Sequence, residues 1–244
     1  MREHKWGPFF SYMGAKFRAA KWYPPPRHGT IVEPFAGAAG YSTYWARSGR
    51  KVLLYDLCPR IVGIWSYLIR TPAEEILRLP LNVRDVRDLS CCEEAKWLIA
   101  SNIVKGSEQG PYKNLASSHG ESDTISAIAC YGWSIGTRYR VASQVGSIRH
   151  WEVRQASYAD VPDREATWFV DPPYQRAGKG YKYHDVDYPA LAEWVRGRSG
   201  QVIACGDDAD DWLPFRPFRI FSAMQGSGRR GKSVEVIWTN DRDE

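Results

Sequence analysis

The sequence has no run approaching the roughly 18 consecutive apolar residues of a membrane-spanning helix. No apolar stretch follows Met1 to Pro8 to form the core of a signal peptide. Cysteine is sparse. Cys58, Cys91, Cys92, Cys130 and Cys205 are an odd number, include a vicinal pair and contain no C-x-x-C. Neither a disulfide framework nor a zinc site is expected, and the reducing cytoplasm is the expected compartment. The histidines, at positions 4, 28, 119, 150 and 184, are scattered, so no metal centre is expected. Internal repeats and low-complexity tracts are also missing. Neither sign of charge dominates: 33 Lys+Arg against 28 Asp+Glu leave a net charge of +5, which permits an anionic partner without demanding one.

What remains is an ordinary globular mixture. The 244 residues are 43% hydrophobic and 25% charged, which excludes a disordered tail, a fibre or a coiled coil. That length suits one large domain, or one domain carrying an inserted subdomain. Aromatics reach 14%, and most are expected to fill the core. Short apolar runs read as buried strands at Thr30–Val32, Val52–Tyr55, Thr167–Val170, Gln201–Ala204 and Val234–Trp238. Helices are expected between them. Ser90 and Glu93 form a capping box ahead of Ala95, Ile99 and Ile103. Asp187 caps a helix bearing Leu191, Trp194 and Val195. Turn chemistry predicts loops over 105–120 and 225–232. Strands alternating with helices predict an α/β fold with a mostly parallel sheet, whose ligands bind at the strands' carboxyl ends.

Three motifs fall at such ends. Glu33-Pro34-Phe35-Ala36-Gly37-Ala38-Ala39-Gly40 follows the first strand and precedes a helix expected near Tyr41. Its small residues let a ligand approach the backbone, and free N–H groups at a helix start can meet a polar group. Asp56 ends the second strand, where nucleoside-binding α/β folds place a carboxylate that accepts from ribose hydroxyls. The third motif, Asp171-Pro172-Pro173-Tyr174, ends a buried strand. The two prolines forbid helix and remove two backbone donors, leaving carbonyls as acceptors. The amino group of an aromatic ring is a poor nucleophile because its lone pair is delocalised into the ring. A carboxylate and a carbonyl can take its two N–H bonds and aim that lone pair at an electrophile, while a neighbouring ring stacks on the base. Asp171, the Pro172 carbonyl and Tyr174 supply those parts.

In this order, and preceded by Tyr12-Met13-Gly14-Ala15-Lys16, the motifs resemble the Dam-like N6-adenine DNA methyltransferases over nearly the whole chain. Ser157-Tyr158-Ala159-Asp160 and the basic loop Gly228-Arg229-Arg230-Gly231-Lys232 add to the likeness. The resemblance implies a Rossmann-like S-adenosylmethionine-dependent methyltransferase fold. Residues 1–80 and 148–244 would form the catalytic domain, and 81–147 an inserted target-recognition region. It implies Tyr12, Lys16, Glu33, Pro34, Phe35, Ala36, Gly37, Asp56, Tyr158 and Asp171 along the cofactor. Asp171, Pro172, Pro173 and Tyr174 would stand at the target amine. Ala39 stands where the family often has glycine, which alanine can replace unless the position needs a positive φ.

The resemblance further implies a double-stranded DNA partner and a flipped-out target base, since the reacting atom is inaccessible inside a duplex. No membrane or metal is implied, and the chain is expected as a monomer or weak dimer in a prokaryotic cell or, if phage-encoded, its host. Restriction-modification or a related DNA-modifying role would suit it. Basic residues expected near phosphate are Arg176, Lys179, Arg229, Arg230 and Lys232. Arg138 and Arg140, on an expected loop, are candidates for base-edge contacts. The acidic run Asp207, Asp208, Asp210 and Asp211 is expected to face away from phosphate. Alternatives of the same chemistry are N4 of cytosine or an RNA base; a catalytically silent DNA-binding relative is an alternative of another class.

Overall fold

The computed structural model describes residues 6–46, 49–81, 83, 85–103, 132–176, 178, 181–224 and 230–241. Its centre is a seven-stranded sheet of order β3-β2-β1-β4-β5-β7-β6. The strands are β1 (Thr30–Glu33), β2 (Lys51–Asp56), β3 (Glu152–Gln155), β4 (Ala166–Val170), β5 (Gly200–Asp207), β6 (Arg216–Met224) and β7 (Arg230–Thr239). The pairs β1–β2, β2–β3, β1–β4 and β4–β5 are parallel. β7 runs antiparallel to both β5 and β6. This is the α/β architecture with a mostly parallel sheet expected from the alternating pattern, of the Rossmann-like kind that the resemblance implies.

The central strands read as unbroken apolar runs because both sheet faces are covered. Ile31, Leu54, Phe169, Ile203 and Ile237 point into one core. Their sequence neighbours Val32, Leu53, Val170, Val202 and Ala204 point into the other, as the two-residue period of a strand requires. On the first face lie the N-terminal segment, α1 (Gly40–Trp45), α2 (Pro59–Arg70), α3 (Ala73–Arg78), α4 (Glu93–Ile103) and α5 (Ile135–Val145). The second face is closed by α6 (Tyr188–Arg196) through Leu191, Ala192 and Val195. Chain direction through the sheet reverses between β1 and β4, which places the topological switch point at their carboxyl ends.

The five expected strands are all present. β3 and β6 escaped the sequence pattern, since both are sheet edges with exposed charged side chains such as Arg154 and Arg219. Asp187 caps α6 by accepting from the Ala190 N–H at 3.0 Å. Ser90 does not cap α4, whose first residue is Glu93 and whose first-turn carbonyl acceptor is Cys92. Arg138 and Arg140 lie on helix α5 rather than on a loop, with Ser134 as the N-cap. The expected loop at 105–120 lies outside the described residues. Arg230 to Lys232, expected in a loop, belong to β7.

Among the described residues of the stretch 81–147, Leu98, Ile99, Trp133, Val141 and Val145 join the same core as α2. No helix among the described residues is long and apolar enough to cross a membrane.

Candidate active site

A cleft of about 930 Å³, counting its open mouth, lies at the carboxyl ends of β1, β2 and β4. Its floor is the turn from Glu33 to Gly40. Three glycines shape it. Gly37 has φ +45°, and a Cβ there would stand 2.9 Å from the Tyr12 ring. At Gly14, φ is +72° and a Cβ would meet the Tyr181 hydroxyl at 2.5 Å. A Cβ on Gly40 would strike the backbone of Phe17 at 2.4 Å and of Lys16 at 2.8 Å. The bare backbone at the start of α1 therefore lets the Tyr12–Lys16 segment pack against it. Ala39 adopts φ 43°, ψ 51°. The glycine place does need the left-handed conformation, and alanine occupies it at a local cost of about 1–2 kcal/mol.

Glu33 is buried, and its Oε1 accepts from the Ser42 N–H at 2.7 Å. Burial pushes its pKa up to about 8, against the lowering effect of the Ser42 hydrogen bonds. Asp56 fixes two backbone segments: Oδ2 accepts from the Gly37 N–H at 2.9 Å and Oδ1 from the Cys58 N–H at 2.8 Å. The Asp56 side chain also lines the cleft. Phe35 and Tyr158 stack on one another, with ring centroids 5.5 Å apart, and both face the cleft. Tyr12 and Tyr181, ring centroids 5.9 Å apart, also line it.

Beyond β4, Lys16 Nζ lies 2.9 and 3.0 Å from the two Asp171 oxygens and 3.0 Å from the Gly14 carbonyl. Burial works against the lysine's charge. Asp171, and then Glu235, more than offset it and hold the pKa above the ordinary lysine value. The Lys16 ammonium also stands 5.0 Å from the centroid of the Tyr174 ring. The Tyr174 hydroxyl is 2.8 Å from Glu235 Oε2 and 3.2 Å from Asp171 Oδ1. Burial foremost, with Asp171 next, keeps that phenol protonated well above its ordinary range.

Sequence reasoning missed Glu235. The signal was an acid inside the apolar run Val234 to Trp238.

The segment after Tyr174 is held from below. Asp210 accepts from the Gln175 N–H at 2.8 Å and from the Asp207 N–H at 2.6 Å. Arg176 pairs with Asp208 at 2.7 Å. The acidic run therefore does not stand apart from the expected phosphate contacts: it clamps the Asp171-Pro172-Pro173-Tyr174 (DPPY) turn and engages one of them. The Pro173 carbonyl accepts from the Tyr188 hydroxyl at 2.7 Å.

The expected residues Tyr12, Lys16, Glu33, Pro34, Phe35, Ala36, Gly37, Asp56, Tyr158, Asp171 and Pro173 all line the one cleft. Pro172 is buried beside it, and Tyr174 turns its hydroxyl inward to Glu235. The basic candidates are dispersed. Arg138 donates to the Leu79 carbonyl at 2.7 Å, and Arg140 packs its guanidinium against Gly7. Lys179 and Arg229 lie outside the described residues, while Arg230 and Lys232 lie on β7. Among the described residues, no group of three or more His, Cys, Asp or Glu could hold a metal ion.

No protein-family model matches the sequence, and none of the curated proteins does. Among solved structures, the chain is similar to an rRNA methyltransferase of Streptomyces viridochromogenes. That alignment has a TM-score of 0.41 and 14% identity, covering 96% of this chain and 87% of the other. A conserved hypothetical protein of Streptococcus pyogenes aligns with a TM-score of 0.37 and 11% identity, covering 93% and 94%. Likenesses of this size leave the reading of the site to its own geometry.

Proposed function

We propose that the protein is an S-adenosylmethionine-dependent methyltransferase that modifies N6 of adenine in duplex DNA. The observation that carries this reading is convergence. Tyr12 to Lys16, Glu33 to Gly37, Asp56, Tyr158 and Asp171 are far apart in sequence and line a single cleft at the switch point.

The cleft's chemistry fits the cofactor. The Phe35–Tyr158 pair offers a flat apolar flank for a purine. Asp56, at the tip of β2, lines the cleft where nucleoside-binding α/β folds place a carboxylate for ribose hydroxyls. The glycine-opened floor lets a ligand reach backbone amides. S-adenosylmethionine, when bound, supplies a methyl group already activated by attachment to a positive sulfur.

The protein's share of the chemistry is then positioning, which can contribute about 7–11 kcal/mol in favourable cases. Asp171 and the Pro172 carbonyl accept the two N–H bonds of the target amine and direct its lone pair along the line of transfer. The bond broken would be the one between that methyl carbon and the sulfur, its electron pair staying with sulfur. The amine loses one proton, with Asp171 as its first acceptor. Lys16 fixes both Asp171 oxygens by ion pairing, so the carboxylate cannot rotate away.

Duplex DNA suits the surroundings of the cleft. β6 and β7 stay paired from Glu235 back to Arg230, beyond the level of Asp207, where β5 ends. This ribbon extends on the cleft side of the sheet, and residues 225–234 carry Arg229, Arg230 and Lys232 with no acid until Glu235. Basic ribbons of this kind make sequence-independent phosphate contacts. Residues 81–147 would supply base readout. Single-molecule sequencing of DNA from cells expressing the protein tests the proposal: N6-methyladenine at one sequence context supports it, and unmodified DNA under good expression overturns it.

A further inference from the structure

Glu235 is an acid on β7 that the methyl-transfer reading leaves without a role. Only 8% of it is exposed, and it stands between Val234 and Val236 in a strand that otherwise contributes Ile237 to the core. Stability gives no reason for an acid here. Exchanging buried ionic groups for apolar residues of similar volume is often neutral or favourable. Its partners explain it better. One oxygen, Oε2, is 2.8 Å from the Tyr174 hydroxyl, 3.3 Å from the Tyr23 hydroxyl and 3.9 Å from Lys16 Nζ. Tyr23 is itself fixed, edge-on to Phe169 and stacked on Phe218 at 4.6 Å.

We propose that Glu235 is a positioning residue for the transfer: by anchoring the Tyr174 hydroxyl, it sets the plane of the ring that receives the target base. This rests on the methyltransferase reading and deepens it. A tyrosine ring can pivot about two side-chain torsions, and stacking needs one plane. Here the ring is held at its far end by Glu235 and from one side by the Lys16 ammonium. Asp171 lies within reach of the same hydroxyl at 3.2 Å. The Lys16 ammonium, against the ring and paired with both Asp171 oxygens, ties the platform for the base to the acceptor for its amine, and Glu235 holds the ring from a rigid strand. Glu235 does not touch the base; it acts through Tyr174.

The roles separate by substitution. Glu235→Leu removes the acceptor, Glu235→Gln keeps an acceptor oxygen without the charge, and Tyr174→Phe removes the donor. Methyl transfer to duplex DNA should fall about tenfold or more in kcat for Glu235→Leu and for Tyr174→Phe, with KM for S-adenosylmethionine nearly unchanged. Combining the two should cost little more than either alone, because the Tyr174–Glu235 hydrogen bond is lost in both. Glu235→Gln should recover most of the rate. A carbon-13 label at the tyrosine ring ζ carbons, with the Tyr174 signal assigned by its loss in Tyr174→Phe, reads the anchor without catalysis. That signal should move in Glu235→Leu and move less in Glu235→Gln. An unchanged kcat in Glu235→Leu, or losses that multiply in the double variant, would overturn the proposal. So would a Tyr174 signal indifferent to Glu235→Leu. If the wild-type protein moves no methyl group to DNA while the signal still shifts, the methyltransferase reading has failed and the anchor stands.

Discussion

Lys16 and Asp171 are 155 positions apart in the chain, yet the lysine ammonium sits within 3.0 Å of both carboxylate oxygens. The pair joins the N-terminal segment to the end of β4 across the floor of the cleft. It is also buried, with side-chain exposures of 7% and 19%, so neither partner is easily spared. Lys16→Met leaves Asp171 and Glu235 as neighbouring carboxylates without their cation. Breaking a buried pair from one side costs about 3–5 kcal/mol. Urea unfolding at neutral pH should show a loss of that order. Adding Asp171→Asn to Lys16→Met should return a good part of it, and a double variant no more stable than the single would contradict the pairing.

The start of α1 gives a steric prediction. Gly40 is where the helix backbone meets the backbone of Lys16 and Phe17. A single methyl group there cannot be accommodated by a side-chain rotation, so Gly40→Ala must push the Tyr12–Lys16 segment away. Overpacking of this kind typically costs about 1–3 kcal/mol. The expected result is a lower urea midpoint together with weakened cofactor binding by calorimetry. Gly49 is the control: its added Cβ would meet no atom within 4 Å. Its φ of +82° nonetheless makes Gly49→Ala destabilising, so the discriminating readout is binding, which that variant should leave intact.

Glu33 gives a pH prediction. Its folded pKa of about 8 lies above the ordinary value of 4.5. The folded state therefore holds this proton more tightly than the unfolded chain does. The resulting stability is fully present below pH 4.5 and is lost as pH rises through 8. Relative to Glu33→Gln, the wild-type protein should lose stability between those limits, by at most about 5 kcal/mol. Denaturation curves measured at steps across that window check this; two proteins running parallel would refute it.

Asp210 tests the clamp beneath the DPPY turn. Its two oxygens satisfy the backbone N–H groups of Gln175 and Asp207. Asp210→Ala leaves both without their acceptor, at about 1–3 kcal/mol each. Hydrogen exchange should accelerate at Gln175 and Asp207 in particular. Unchanged protection at both amides would mean that the turn is held by other contacts.

The sheet's interior was legible because doubly buried strands have a plain signature, as in Thr167–Val170 and Gln201–Ala204. Its edges were not. Gln155 and Arg154 on β3, and Arg216 and Arg219 on β6, are exposed, so no alternation marks those strands. Asp171, Glu33 and Asp56 could be found because strand ends before turns are where α/β sheets place such groups. Glu235 reaches the same cluster from within an antiparallel strand, and its role depends on the register that sets it beside Asp207. Register is a long-range property, and nothing near position 235 encodes it. The clamping part of Asp210 was hidden for a related reason. A run of four acids was expected to face away from phosphate, and nothing in it marks Asp207 and Asp210 as buried against the DPPY turn.

The proposed role of Asp171 is to orient an adenine amine for methyl transfer. Its most direct test is transfer of a tritiated methyl group from S-adenosylmethionine to duplex DNA, followed by nucleoside analysis, with wild-type protein beside Asp171→Ala. The expected result is label in N6-methyldeoxyadenosine with the wild-type protein, and a rate at least about a hundredfold lower in the variant, equivalent to roughly 3 kcal/mol of lost transition-state stabilisation. Label in a cytosine or an RNA nucleoside instead, or equal rates for the two proteins, would contradict it.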